Sequence, residues 1–108
     1  MPHYLFQGAY SSESLKALIK KPVNRVEAVR PAIEKLGGSI KSAWFAFGEY
    51  DIVFIVELPD NVSAAAFALA VGASGSLKSF KTTALISASE SVAAMKKARV
   101  SHYSPPGK

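Results

Sequence analysis

Apolar residues recur along this chain in two spacings, one typical of strands and one typical of helices. Short segments rich in β-branched and aromatic residues, bounded by glycine, proline, serine or aspartate, predict strands. Four segments have this character: His3–Tyr10, Ile40–Phe47, Ile52–Leu58 and Leu77–Ile86. Gly8 lies inside the first of them, where a glycine indicates a bulge or the close approach of another part of the chain.

Between the strands, apolar positions lie three or four residues apart, as on one face of a helix. Pro22 must break or kink the first helix, because proline donates no backbone hydrogen bond. A second helix is predicted to begin at Asn24 and to end at Gly37–Gly38, with one glycine in the left-handed conformation. Pro31 should bend this helix locally.

Two further helices are predicted in the second half of the chain. The alanine-rich segment Val62–Ala73 has small side chains that allow close packing on a sheet, and Gly72 and Gly75 are expected to end it. Ser87 and Glu90 have the spacing of a capping box, which predicts a short last helix.

The predicted order of elements is βαββαβ followed by one extra helix, which is the order of a ferredoxin-like α+β fold. Right-handed crossovers would place both long helices on one face of a four-stranded antiparallel sheet. We expect one domain over residues 1–98 and an extended C-terminal tail over residues 99–108.

The second face of this sheet is predicted to be apolar as well. Residues of the second and third strands do not alternate between apolar and polar, so a monomer would expose a large hydrophobic patch. We expect a second copy of the sheet to cover it, giving a symmetric dimer or a higher assembly. The alternative is that the C-terminal helix or tail folds over that face.

Polar positions on the first and fourth strands indicate a pocket on this second face. Gln7, Lys81 and Thr83 would lie among apolar walls there, together with Trp44 of the second strand. That composition suits a small polar or anionic ligand. If these positions of the strands point to the other side of the sheet, Lys81 lies in solvent instead.

Composition and charge exclude several classes of function. The chain has 108 residues, a net charge of +5 and no cysteine, and no apolar run approaches the length of a membrane span. The segment Met1–Phe6 lacks the features of a signal peptide, so we expect a cytoplasmic protein. Six basic residues of the first helical region are interpreted as solvated helix surface: Lys16, Lys20, Lys21, Arg25, Arg30 and Lys35.

Nucleic acid, metal and nucleotide cofactors are all poorly supported as partners. RNA-binding modules share the βαββαβ order, but the third strand, IVFIVEL, lacks their basic-glycine-aromatic pattern. His3 and His102 lie at opposite ends of the chain and do not form a metal-ligand pair. The sequence contains no P-loop and no dinucleotide fingerprint, so we expect no cofactor.

The hairpin sequence Gly48–Asp51 (GEYD) allows two interpretations. In the structural one, Gly48 adopts a positive φ, Asp51 binds the turn backbone and Tyr50 lies on the sheet edge. In the catalytic one, Glu49 or Asp51 is a general base and Tyr50 a proton donor.

Taken together, FGEYDIVFIVELPDNVSAAAFALAV, the KTT strand, YLFQGAY near the start and SHYSPPGK at the end resemble the small bacterial GYD-domain proteins. The resemblance covers nearly the whole chain and implies a dimeric α+β-barrel subunit without a settled biochemical function. A looser similarity, through the hairpin and Thr82–Thr83, is to the effector-binding domain of leucine-responsive regulators, whose DNA-binding helix-turn-helix is missing here.

We therefore expect an oligomeric protein for small-ligand binding or assembly, a role that the sequence favours over catalysis without deciding between them. The alternative is a cofactor-independent monooxygenase- or isomerase-like enzyme of the same barrel type. The predicted ligand-binding residues are Gln7, Trp44, Glu49, Tyr50, Asp51, Lys81 and Thr83, with no catalytic or metal-binding residue assigned.

Overall fold

The computed structural model of the protein describes residues 1–107, which form four strands and four helices. In chain order the elements are β1 (His3–Tyr10), α1 (Ser12–Lys20), α2 (Arg25–Lys35), β2 (Ser39–Phe45), β3 (Ile52–Glu57), α3 (Asn61–Ser74), β4 (Leu77–Leu85) and α4 (Ala88–Val100). The strands form one antiparallel sheet in the order β2-β3-β1-β4. This arrangement confirms the predicted α+β class and its ferredoxin-like order.

The break between α1 and α2 follows the predicted signals. The hydroxyl of Ser11 accepts a hydrogen bond from the backbone N–H of Ser14 at 3.2 Å and caps α1. The helix ends at Lys20, just before Pro22. The side chain of Asn24 then accepts from the backbone N–H of Val26 at 3.0 Å and caps α2.

Glycines end two of the helices, but one of the glycines predicted to end a helix does not do so. Gly37 has a φ of 87° after α2, and the N–H of Gly38 donates to the carbonyl of Ile33 at 3.1 Å. Gly75, with a φ of 72°, ends α3. The prediction that Gly72 also ends α3 is wrong, because the helix continues through it to Ser74.

The hydrophobic core lies on the helix-covered face of the sheet. Phe6 of β1 is fully buried at its centre, and its ring centroid lies 5.5 Å from that of Phe54, 5.4 Å from that of Phe80 and 5.1 Å from that of Phe67 on α3. Offset and tilted aromatic pairs at such distances add to the stabilisation from burial. The aromatic side chains therefore fix α3 onto three strands at once.

Gly8 allows part of this packing. A Cβ at this position would lie 2.9 Å from Cδ1 of Leu77 and 3.3 Å from Cδ1 of Phe80. The predicted close approach is therefore present, and an irregularity in the pairing of β1 with β4 follows at Ala9 and Tyr10. A larger residue at Gly8 would displace the side chains of Leu77 and Phe80.

Helix α4 projects from the body of the domain. It extends to Val100, and none of its residues is buried. The described chain measures 57 Å along its longest axis and has a radius of gyration of 17.2 Å, against about 13 Å for a compact chain of this size. The C-terminal helix therefore forms an arm and does not cover the second face of the sheet.

Candidate functional site

The strand register aligns the side chains of the uncovered face, which we call the open face, in rows across all four strands. The central row consists of Trp44, Val53, Gln7 and Lys81. The next row consists of Ser42, Ile55, Leu5 and Thr83. With neighbouring strands about 4.8 Å apart, each row spans roughly 14 Å. The face is therefore wide enough to contact a small molecule or a second sheet.

Four of the residues predicted to bind a ligand lie together on this face. Gln7 directly opposes Lys81, and Thr83 lies in the adjacent row, so these three side chains share one face of the sheet. Trp44 is 70% exposed at the edge of the sheet, and Lys81 is exposed at the opposite edge. The structure thus groups these side chains, while their binding of a ligand stays a prediction.

A charged cluster borders one end of the open face. Nε2 of His3 lies 3.2 Å from Oε1 of Glu57, and Nζ of Lys41 lies 3.7 Å from the same oxygen. These pairs are partly exposed to solvent, so their contribution to stability is small. Glu57 was not among the residues predicted from the sequence, where its only signal is its position at the polar end of an apolar strand.

The hairpin between β2 and β3 closes the other end of the sheet. Oδ2 of Asp51 accepts a hydrogen bond from the backbone N–H of Tyr10 at 2.9 Å. The backbone N–H of Asp51 donates to the carbonyl of Gly8 at 2.8 Å. The carbonyl of Asp51 accepts a hydrogen bond from the backbone N–H of Ala46 at 2.7 Å. Asp51 therefore connects the hairpin to the end of β1, which favours the structural interpretation of this residue.

The other hairpin residues contribute less to this connection. Glu49 is exposed and Tyr50 is half-buried. The expectation that Gly48 adopts a positive φ is wrong, and a Cβ there would meet no atom within 4 Å. The conformation of the hairpin is thus maintained by the contacts of Asp51 and does not require a glycine at position 48.

Replacing Asp51 by alanine is expected to lower the free energy of unfolding by about 1–3 kcal/mol, because the N–H of Tyr10 loses its acceptor at a half-buried position. Urea denaturation of Asp51→Ala and of Glu49→Ala measures the difference. Glu49 is exposed, so its substitution should change stability by less than about 0.5 kcal/mol. Equal losses in the two variants would contradict the role assigned to Asp51.

A recess lies on the helix-covered side of the sheet, between the connection of α1 to α2 and the strands. Tyr10, which is 6% exposed, and Arg25 both line it. Burial raises the pKa of the Tyr10 hydroxyl; the nearby Arg25 guanidinium lowers it by a smaller amount, and Asp51 adds a further small rise. The hydroxyl therefore stays protonated at neutral pH and can donate a hydrogen bond.

This pair of residues was not predicted from the sequence, where Arg25 was interpreted as solvated surface. Tyr10 and Arg25 belong to different elements, and only the path of the chain through Pro22 and Asn24 brings them together. Within residues 1–107 no group of three or more metal-ligating side chains occurs. No helix in that range is long and apolar enough to cross a membrane.

This chain is a ferredoxin-like α+β domain, with helices on one side of its four-stranded sheet and no helix on the other side, the open face. The chain belongs to the GYD domain family, whose sequence model matches residues 4–95. The match confirms the family indicated by the hairpin sequence, and it ends inside α4. No functionally curated protein matches the chain.

Solved structures similar to this chain include the crystal structure of FFRP-DM1, which is 16% identical, with coverages of 80% of this chain and 100% of that one and a TM-score of 0.50. Hypothetical protein PHS023 from Pyrococcus horikoshii is 16% identical, with coverages of 81% and 92% and a TM-score of 0.52. The protein TTHA0845 from Thermus thermophilus is 19% identical, with coverages of 82% and 96% and a TM-score of 0.53. At these identities the similarity shows the fold alone.

Proposed function

We propose that this chain forms a homo-oligomer by pairing the open faces of two copies, and that the space between them holds a small anionic ligand. The observation that carries the proposal is the uncovered central row of Trp44, Val53, Gln7 and Lys81. It combines an exposed aromatic surface with two hydrogen-bond donors on a rigid sheet.

The apolar part of the open face supports the pairing. Leu5, Val53 and Ile55 are only half-buried in the single chain, and the indole of Trp44 is mostly in contact with water. Two sheets that pack face to face lie about 10 Å apart, a distance at which such side chains interdigitate. In a symmetric interface each of these residues contributes from both subunits. Tryptophan residues such as Trp44 are enriched among the interface residues that contribute most of the binding energy.

The polar part of the face supports an anionic ligand. Gln7 and Lys81 oppose each other directly on β1 and β4, so their Cβ atoms lie about 5 Å apart and both side chains can reach one acceptor. Pairing would bring the Lys81 ammonium groups of both copies toward an enclosed space. Buried charges are unfavourable without a partner, so an anion there would stabilise the assembly.

Native mass spectrometry of the untagged protein, with light scattering at micromolar concentration, tests the pairing. We expect an even-numbered oligomer for the wild type. Ile55→Glu places a charge at the centre of the open face and should give a monomer. Val62→Glu adds the same charge on the outer surface of α3, where Val62 is 77% exposed, and should leave the oligomer intact. A monomeric wild type would overturn the pairing.

The same spectra test the ligand. A reproducible extra mass on the oligomer, lost in Lys81→Gln without loss of the oligomer, is the result expected for an anion held between the faces. An oligomer that carries no extra mass and whose melting temperature does not respond to small carboxylates or phosphate would support assembly alone.

A further inference from the structure

The recess on the helix-covered side has the size and lining of a binding site separate from the open face. Its volume is about 310 Å³, within the range of small-molecule pockets. The connection between α1 and α2 forms one wall, and residues of β2 and β3 form another. The apolar side chains that line it are Leu18, Pro22, Val23, Val26, Phe45 and Ile52.

Two polar groups converge on this apolar recess. The guanidinium of Arg25 forms no salt bridge with any carboxylate of residues 1–107. Tyr10 is almost completely buried, yet its side chain still lines the recess. Both residues also line a smaller recess of about 60 Å³ that continues toward β4. A guanidinium without a carboxylate partner, beside a phenol hydroxyl, offers several donors to one anionic group.

The charges around the recess favour a ligand with a single negative charge. Arg25 is the single cationic side chain that lines it within the described part of the chain, and the carboxylate of Asp51 is close enough to act on Tyr10. A dianion such as hydrogen phosphate would find only the guanidinium of Arg25 as a charged partner, and the carboxylate of Asp51 would repel it. The N-terminus of α2, where Arg25 is the first residue, adds only a partial positive charge.

We propose that this recess binds a small monocarboxylate with an apolar ring or short chain, its carboxylate held by the Arg25 guanidinium and the Tyr10 hydroxyl. The apolar part of the ligand lies against Val23, Val26 and Phe45. This site is on the opposite side of the sheet from Lys81, so it does not depend on the proposed function of the open face.

Phenylacetate is a suitable probe, with uncharged phenylacetamide as its matched control. In a titration of the isotope-labelled full-length chain followed by amide resonances, phenylacetate is expected to shift Val26 and Phe45 saturably. Phenylacetamide has nearly the same shape without the charge and should bind at least about 10-fold more weakly. Absence of saturable shifts, or equal binding of the two compounds, would overturn the proposal.

Two substitutions on the same helix complete the test. Arg25→Gln should weaken phenylacetate binding about 10-fold, and because Arg25 is exposed the variant is expected to fold normally. Arg30→Gln removes a guanidinium that is paired with Glu27 at 3.1 Å outside the recess, and it should leave the affinity unchanged. Wild-type affinity in Arg25→Gln, or equal losses in both variants, would reject a site at Arg25. Lys81→Gln should bind phenylacetate as the wild type does.

Discussion

Replacing Phe67 by alanine is expected to lower the free energy of unfolding by about 3–5 kcal/mol, the largest effect of any single substitution considered for this chain. Phe67 is 4% exposed on α3, and its ring lies 5.1 Å from that of Phe6 and 6.1 Å from those of Phe54 and Phe80. Its removal would leave a cavity that three strands enclose. The total stability of a small domain is about 5–15 kcal/mol, so much of it would be lost.

Leu69 provides the matched control on the same helix. It is 74% exposed, and Leu69→Ala should change stability by less than about 0.5 kcal/mol. Urea denaturation followed by circular dichroism, at two protein concentrations to separate subunit dissociation from unfolding, measures both variants. If Leu69→Ala were as destabilising as Phe67→Ala, the assignment of Phe67 to the side of α3 that packs on the sheet, and of Leu69 to the exposed side, would be wrong.

Gly38→Ala is expected to destabilise the protein by about 3 kcal/mol through a clash with the backbone. A Cβ at Gly38 would overlap the carbonyl oxygen of Glu57 and lie 2.6 Å from Cδ2 of Leu58. Neither group can move easily, because Glu57 pairs with β1 and Leu58 is fully buried. The chain between α2 and β2 must therefore shift, and thermal unfolding at a fixed concentration measures the resulting loss.

Gly72→Ala should have the opposite sign. Gly72 lies inside α3, and a Cβ there would meet no atom within 4 Å, so alanine should raise stability by about 0.5–1 kcal/mol through its helix propensity. If Gly38→Ala and Gly72→Ala lost similar amounts of stability, the destabilisation by Gly38→Ala would not come from a steric clash. The pair thus separates a glycine required by close contact from one that is merely tolerated.

The sequence predicted the fold wherever local chemistry decides the outcome. The capping box at Ser87 is present in both directions, with Glu90 N–H donating to the Ser87 hydroxyl at 3.1 Å and Ser87 N–H donating to the Glu90 carboxylate at 2.9 Å. The two-residue period of strands grouped Lys81 with Thr83 on one side of β4, and β4 does lie beside β1, as the predicted topology required. These features depend on residues close in sequence or on a fixed geometric rule.

The features that the sequence did not decide depend on tertiary contacts. The hairpin sequence was compatible with a catalytic Asp51, and only the backbone N–H of Tyr10, 41 residues earlier, shows where its carboxylate binds. Gly72 has the same local signature as a helix end, but α3 continues to Ser74 and only Gly75 ends it. The recess at Arg25 requires the exact path between α1 and α2, which no pattern of apolar positions specifies.

The projecting helix α4 separates the charge of the molecule in space. Lys96, Lys97 and Arg99 lie in the second half of α4, whereas residues 1–95 carry a net charge of only +1. At physiological ionic strength electrostatic interactions fade over about 8 Å, a small fraction of the 57 Å length of the described chain. Positive charge is therefore concentrated on the arm, and an anionic surface would attract the arm first, with the nearly neutral domain behind it.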